Sequence, residues 1–249
     1  MSPHFRPWDP APKQFALESS DVHVWLASLD RAAPVVQALL KTLAPDEQSR
    51  ANRFYFQVDR DHFIVARGIL RAILGRYLET EPDRVGFNYT SYGKPELNKE
   101  FDRHDLRFNV SHSHGLALFA VTRNREIGVD LEEIRPGIAG EKIAERFFSP
   151  EEVSVLRALP KDLQDEAFFN CWTRKEAYIK AKGEGLSMPL DTFNVSLVPG
   201  ESAELFSTKA DPQEASRWRL RELFPAPGFA AAIAVEGKDW QLKCWNWSE

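Results

Sequence analysis

The chain has 249 residues, with 32 Lys and Arg against 37 Asp and Glu, a net charge of −5 and 43% hydrophobic residues. That length holds one large domain or two small ones with a real core, and the composition excludes a collagen-like or wholly disordered chain. The acidic balance argues against a broad nucleic-acid-binding face while leaving room for a local basic pocket, and no apolar run approaches the ~20 residues of a membrane-spanning helix.

Residues 1–20 are Pro-rich and read as an extended arm without the apolar core of a signal peptide, which predicts a cytoplasmic protein. Residues 21–29 set Val22, Val24 and Leu26 against His23, Trp25 and Ala27, a strand alternation. Two short helices are predicted over 34–43 and 45–54, each with a first-turn proline. Phe63, Ala66, Ile69, Ile73 and Tyr77 then recur at helical spacing, which gives an amphipathic helix of about five turns. A strand at 85–89 leads to the turn Tyr92-Gly93-Lys94-Pro95. Apolar strands follow over 106–110, 116–122 and 127–131. Further on, Ser149, Pro150 and Glu152 form a capping box. A long helix over 163–182 closes on Gly183, and strands are predicted near 193–197, 218–223, 229–235 and 240–247. Cys171 and Cys244 are too few for a disulfide framework and read as packed thiols of a reducing compartment.

Phe108-Asn109-Val110-Ser111 recurs letter for letter at 193–196, and the Gly-led apolar run 115–121 is echoed at 228–235. In each half a long helix precedes the first string and the Gly-led strand follows it. This predicts an α+β fold of two similar halves, 21–123 and 124–249, with a cleft between them suited to a ligand.

Asp130 and Glu132 stand two apart on a predicted strand, so both point to one face, where they repel unless a cation lies between them. The alternative is an acidic strand end. Glu176 and Lys180 share a helix face, as a surface ion pair or, on a helix this apolar, as groups facing something charged. Asn109, Ser111 and His112 gather donors at a strand end, which suits phosphate oxygens or a polar turn. Ser111 and His112 are adjacent, which is poor geometry for a nucleophile pair on a strand. Lys94 is a point charge on a rigid turn or an ordinary exposed lysine. Arg50 and Arg53 are helix-surface charges by default, and Arg67 and Arg71 could face solvent or a cleft. Gly183-Glu184-Gly185 lacks the strand and helix that a phosphate-cradling loop requires.

In this order, YGKP (92–95), FNVSHS (108–113), GVDLE (128–132) and WTRKEAYIKAKGEGL (172–186) resemble the 4'-phosphopantetheinyl transferases of the larger, surfactin-synthetase (Sfp) type. The resemblance runs over about 45–186. It implies two pseudo-symmetric α+β halves with the active site between them, and coenzyme A bound there with Mg²⁺, for which Mn²⁺ may substitute. It implies Asp130, Glu132 and Glu176 as metal ligands, Glu132 being the position that varies among relatives, and Glu176 and Lys180 as catalytic groups. Arg50, Lys94, Asn109, Ser111, His112 and Lys180 match segments that meet coenzyme A. The implied reaction moves phosphopantetheine onto a serine of an apo acyl or peptidyl carrier protein and releases adenosine 3',5'-bisphosphate. The partner's serine is the nucleophile, and the duplication favours a monomer. Within 139–163, Phe147, Phe148, Val153 and Leu156 are candidates for carrier docking or, alternatively, helix core. A magnesium phosphohydrolase and a non-catalytic coenzyme A binder are the competing readings.

Overall fold

The computed structural model describes residues 8–12, 16–137, 141–183 and 185–248. Part of the 1–20 arm, residues 139 and 140 of the 139–163 region, and Glu184 of the long motif lie outside the described residues.

After a two-residue strand β1 (Asp9–Pro10), the chain builds one unit from β2 (Asp21–Ser28), α1 (Ala33–Leu40), α2 (Pro45–Ala51), α3 (Gln57–Leu78), a hairpin of β3 (Phe87–Tyr89) and β4 (Pro95–Leu97), then β5 (Leu106–Ser113) and β6 (Leu116–Arg123). It then repeats the plan with β7 (Ile127–Glu133), α4 (Glu141–Phe147), α5 (Pro150–Ala158), α6 (Lys161–Lys182), a hairpin of β8 (Phe193–Val195) and β9 (Leu205–Thr208), α7 (Glu214–Arg217), β10 (Trp218–Leu223) and β11 (Phe229–Glu236). The first sheet contains the order β2-β6-β5 and the second is β7-β11-β10. A last strand, β12 (Gln241–Asn246), returns to the first sheet and pairs parallel to β2, with β1 beyond it. The fold is α+β, and its strand order is the same in both halves.

The repeat differs in one respect from the letter pattern. The string at 108–111 lies on β5, whereas the one at 193–196 starts on β8, part of the small hairpin whose counterpart is β3. Four matching letters fell on strands with different places in the fold. The Gly-led strands are true equivalents: β6 and β11 are the middle strands of β2-β6-β5 and β7-β11-β10, and each follows a glycine in the left-handed region, Gly115 (φ +78) and Gly228 (φ +81). Only glycine takes that conformation at little cost.

A buried strut expresses the duplication more closely. Arg71 and Lys175 each stand fifteenth in a 22-residue helix. Arg71 pairs with Glu47 at 2.7 Å and donates to the carbonyls of Pro82 and Val85. Lys175 pairs with Glu152 at 2.8 Å and donates to the carbonyls of Leu190 and Phe193. Both glutamates are third in a short helix that opens on proline, and each also accepts the backbone N–H of the residue before that proline, Ala44 or Ser149, at 2.9 Å. Arg71 is therefore committed to the frame and does not face the cleft. Removing one partner of such a buried pair leaves a desolvated charge and costs about 3–5 kcal/mol. Lys175→Met and Arg71→Met are each expected to lose stability on that scale in urea unfolding. A loss below about 1 kcal/mol would show that the strut is dispensable.

Three cores follow from strand alternation. Trp25 and Ala27 of β2 pack against α3, whereas Val22, Val24 and Leu26 turn the other way. They meet Ile127, Val129 and Leu131 of β7 in a core between the two sheets. The remaining face of β7 lies under α6. Phe148 and Leu156 are buried in the second-half core, and Phe147 and Val153 are packed against it, so these four are helix core and do not form a docking face.

Candidate functional site

Gly128 lets α6 lie directly on β7, since a Cβ there would overlap the Ala177 carbonyl and the Ala181 amide. That close approach brings Lys180 down onto Asp130, two residues further along the strand and on the same face. Asp130 is buried; its Oδ1 accepts from Lys180 Nζ at 2.6 Å and from Ser111 Oγ at 2.9 Å. Its Oδ2 is buried with no hydrogen-bond partner, a costly state for a carboxylate oxygen unless something cationic completes it. Lys180 Nζ also reaches Ser111 Oγ at 3.1 Å and the Val129 carbonyl at 3.3 Å.

The two halves meet beside this cluster through side chains rather than a backbone ladder. Asn109, Ser111 and Ser113 alternate on one face of β5 and run along the edge of β7. Asn109 Oδ1 accepts the Val129 N–H at 2.9 Å, Ser111 holds Asp130, and Ser113 donates to Glu132 Oε2 at 3.0 Å while accepting the Glu133 N–H at 3.3 Å. Asn109 and Ser111 are thus buried parts of the seam. Period two places His112 on the opposite face, where it is exposed.

Electrostatics follows from this crowding. Burial and then the Asp130 charge push the Glu176 carboxyl up to about 7, with Glu132 adding to the rise and Lys180 opposing it. Burial and then Asp130 also raise Glu132, against the pull of Ser113 and Lys180. Partial desolvation beside the cluster, then the nearby Lys180, His62 and Arg50, hold His112 below its ordinary value. Arg50 is exposed, with its guanidinium 5.2 Å from the Phe63 ring centre. Lys94, on the turn closed by Gly93, is not free: its Nζ donates to the Lys180 carbonyl at 2.9 Å near the end of α6 and lies 3.9 Å from Glu126. A cation at a helix C-terminus is favourably placed there. Desolvation lowers its pKa.

A cavity of about 230 Å³ lies between the 92–95 turn, Asn109, Lys180 and Gly183. A larger groove of about 890 Å³ runs along β10 and shares no residue with it. Among the described residues, no group of three His, Cys, Asp or Glu side chains is gathered closely enough to hold a metal by itself. The buried, unpartnered Asp130 Oδ2 is an oxygen donor of the kind a hard cation such as Mg²⁺ accepts when phosphate and water fill its other positions.

Thus Asp130, Ser111 and Lys180 are in direct contact, Glu132 and Glu176 share their field, Lys94 joins through the α6 carbonyl, and Arg50 and His112 stand on the first-half rim. Sequence reasoning passed over Ser113 and His62. Ser113 was recoverable from the period of two that it shares with Asn109 and Ser111 on one strand face. His62 carried no local signal, because only folding brings it to His112.

Residues 126–234 match the model of the 4'-phosphopantetheinyl transferase superfamily, and residues 31–124 match the N-terminal 4'-phosphopantetheinyl transferase model. The chain is 46% identical over 240 residues to the 4'-phosphopantetheinyl transferase HetI of Nostoc sp., covering 96% of this chain and 98% of that one. It is 34% identical over 161 residues to the 4'-phosphopantetheinyl transferase Sfp of Bacillus subtilis, covering 65% and 69%. It is 28% identical over 210 residues to the L-aminoadipate-semialdehyde dehydrogenase-phosphopantetheinyl transferase of Xenopus laevis, covering 78% and 68%.

Proposed function

The chain belongs to the 4'-phosphopantetheinyl transferase superfamily, and on that premise we propose that it transfers phosphopantetheine from coenzyme A to a serine of an apo acyl or peptidyl carrier protein, with Mg²⁺ and with release of adenosine 3',5'-bisphosphate. It is a transferase. The observation that carries the finer reading is the buried, half-satisfied Asp130 beneath Lys180, next to a glutamate whose pKa is raised to about 7.

Bound Mg²⁺ would neutralise charge on the pyrophosphate. Asp130 would hold it through Oδ2, with Glu132 and Glu176 close by and phosphate and water in its other positions. Lys180 leaves Asp130 in part to face a phosphate oxygen, and its ammonium stabilises charge developing there. Glu176, ionised when the cation is bound beside it, accepts the proton of the carrier serine. Lys94, Arg50 and His112 face the coenzyme's phosphates and adenosine from the first half, while Asn109 and Ser111 hold the seam on which that wall stands. The nucleophile comes from the partner, which accords with the separation of Ser111 and His112 onto opposite strand faces. Each half supplies part of the site, so a monomer suffices. The two free cysteines accord with a cytoplasmic setting, and among the described residues no helix is long and apolar enough to cross a membrane.

The test is to incubate the protein with coenzyme A, Mg²⁺ and a panel of apo carriers. The mass of phosphopantetheine should appear on the carrier, and adenosine 3',5'-bisphosphate should form only when carrier is present. Bisphosphate release without carrier would instead indicate a phosphohydrolase.

Metal binding should depend on pH in a definite direction. A proton on Glu176 competes with the cation, so apparent Mg²⁺ affinity is expected to fall about tenfold per pH unit below 7. Without metal, the raised pKa favours the folded chain most below the ordinary glutamate range, and that contribution is lost as pH rises through about 7. Thermal unfolding with and without Mg²⁺ at pH 6 and pH 8 reads both effects. Equal Mg²⁺ shifts at the two pH values would remove Glu176 from the metal site.

A further inference from the structure

Between α2 and α3 the chain presents Phe54, Tyr55 and Phe56, followed by Val58 in the first turn of α3. Their exposures are 37%, 91%, 62% and 55%. A contiguous exposed apolar run of this kind is unusual on a monomer unless a partner covers it. The rings are ordered against one another and against the cleft. Tyr55 and Phe56 pack edge to face at 4.9 Å, and Phe54 packs on Phe63 at 5.4 Å. The Phe63 ring also carries Arg50, which together with His62 acts on His112 at the cleft rim. The patch is thus continuous with the first-half wall of the site. Its N-terminal side is also basic: Arg50 and Arg53 precede it, and no acidic residue falls between Glu47 and Asp59, on a chain whose net charge is −5.

We propose that residues 54–58 dock the carrier protein, as an acidic helical domain whose apolar face meets Tyr55 and Phe56 and whose carboxylates meet Arg50 and Arg53. This inference rests on the transfer reading above. Basic charge beside an aromatic centre favours an acidic partner, speeds encounter and fixes its orientation. The four apolar residues considered for this role in the second half are core. Ile143 and Val155 are exposed there at 37% and 43% but carry no comparable aromatic centre.

Transfer should be measured with varied apo carrier and varied coenzyme A for the wild type, the double variant Tyr55→Ser/Phe56→Ser, and Val155→Ser. The expected result is a rise of about tenfold in carrier KM for the double variant. Its kcat, coenzyme A KM and unfolding midpoint should match those of the wild type, and Val155→Ser should behave as wild type. A wild type that transfers while the double variant keeps its carrier KM overturns the docking and leaves the transfer reading intact. A carrier KM that rises only in Val155→Ser also overturns it, as does an equal rise in coenzyme A KM for the double variant. A wild type that loads no carrier overturns the transfer reading and this inference with it.

Discussion

Lys180→Met is expected to lower kcat for transfer by about 10²–10³-fold, the usual cost of removing one donor aimed at developing charge. The Lys180 side chain is 28% exposed but its partner Asp130 is buried, so the variant also leaves a buried carboxylate without its cation, a stability loss to be separated from the loss of reactivity. Methionine keeps the stem that covers β7 but leaves Asp130 Oδ1 with Ser111 alone. Arginine should restore little, because its planar fork does not fit the compact seat shared by Asp130, Ser111 and the Val129 carbonyl. Single-turnover transfer, compared with the urea unfolding midpoint, separates the two effects. Near-normal turnover in Lys180→Met would mean that this ammonium does not meet the reacting phosphate.

Gly128→Ala is expected to damage fold and site together. One methyl group would press on the backbone of α6 at Ala177 and Ala181, where no flexible side chain can move aside. The helix must lift or the strand must bend, a strain of typically 1–3 kcal/mol when a well-packed interior is overfilled. Glu176 and Lys180 lie on the same helix, one residue from the two contacts, so they would move away from Asp130. A misplacement of about 1 Å can cost on the order of 10²-fold in rate. The expected outcome is a lowered unfolding midpoint with an activity loss that persists at temperatures where the variant is fully folded. Normal activity in the folded variant would show that the site tolerates a lifted helix.

Much of this arrangement was legible in the sequence because its signals are local. Alternation placed Asp130 and Glu132 opposite Val129 and Leu131, and the structure shows Val129 and Leu131 in the inter-sheet core. The Ser149 capping box and the left-handed Gly183 cap appear where their residue types require. The contents of the short hairpins were less legible: β4 and β9 are three and four residues long, too short for a periodic signal. Helix α4 was likewise not foreseen. The FNVS recurrence misled because identity over four letters says nothing about strand order. Lys94 and Asn109 look like ligand-facing groups in the sequence, and the structure adds contacts that spacing does not carry: Lys94 bonds a carbonyl of a helix residue 86 positions away and Asn109 bonds the neighbouring half. Contacts of that range leave no trace in spacing.

The strut shared by the halves also shows where they differ. Trp25 pairs with Phe119, four residues after Gly115, and Asp130 pairs with Ala232, four residues after Gly228. In that register Trp25 occupies the seat of Asp130, and Ala27 that of Glu132. Aligning Arg71 with Lys175 puts Ala72 at Glu176 and Arg76 at Lys180. Trp25 is wholly buried, close to Trp245 and Trp247, so carbon fills the space that charge fills in the other half. A map of tolerated substitutions across the whole chain should therefore show two superimposed rhythms. Intolerance to losing the strut should appear twice, about 104 residues apart, whereas intolerance to losing the site carboxylates Asp130 and Glu176 should have no counterpart at Trp25 and Ala72. At the first-half seats, packing around Trp25, with its indole N–H on Tyr77 at 3.0 Å, should be selected instead.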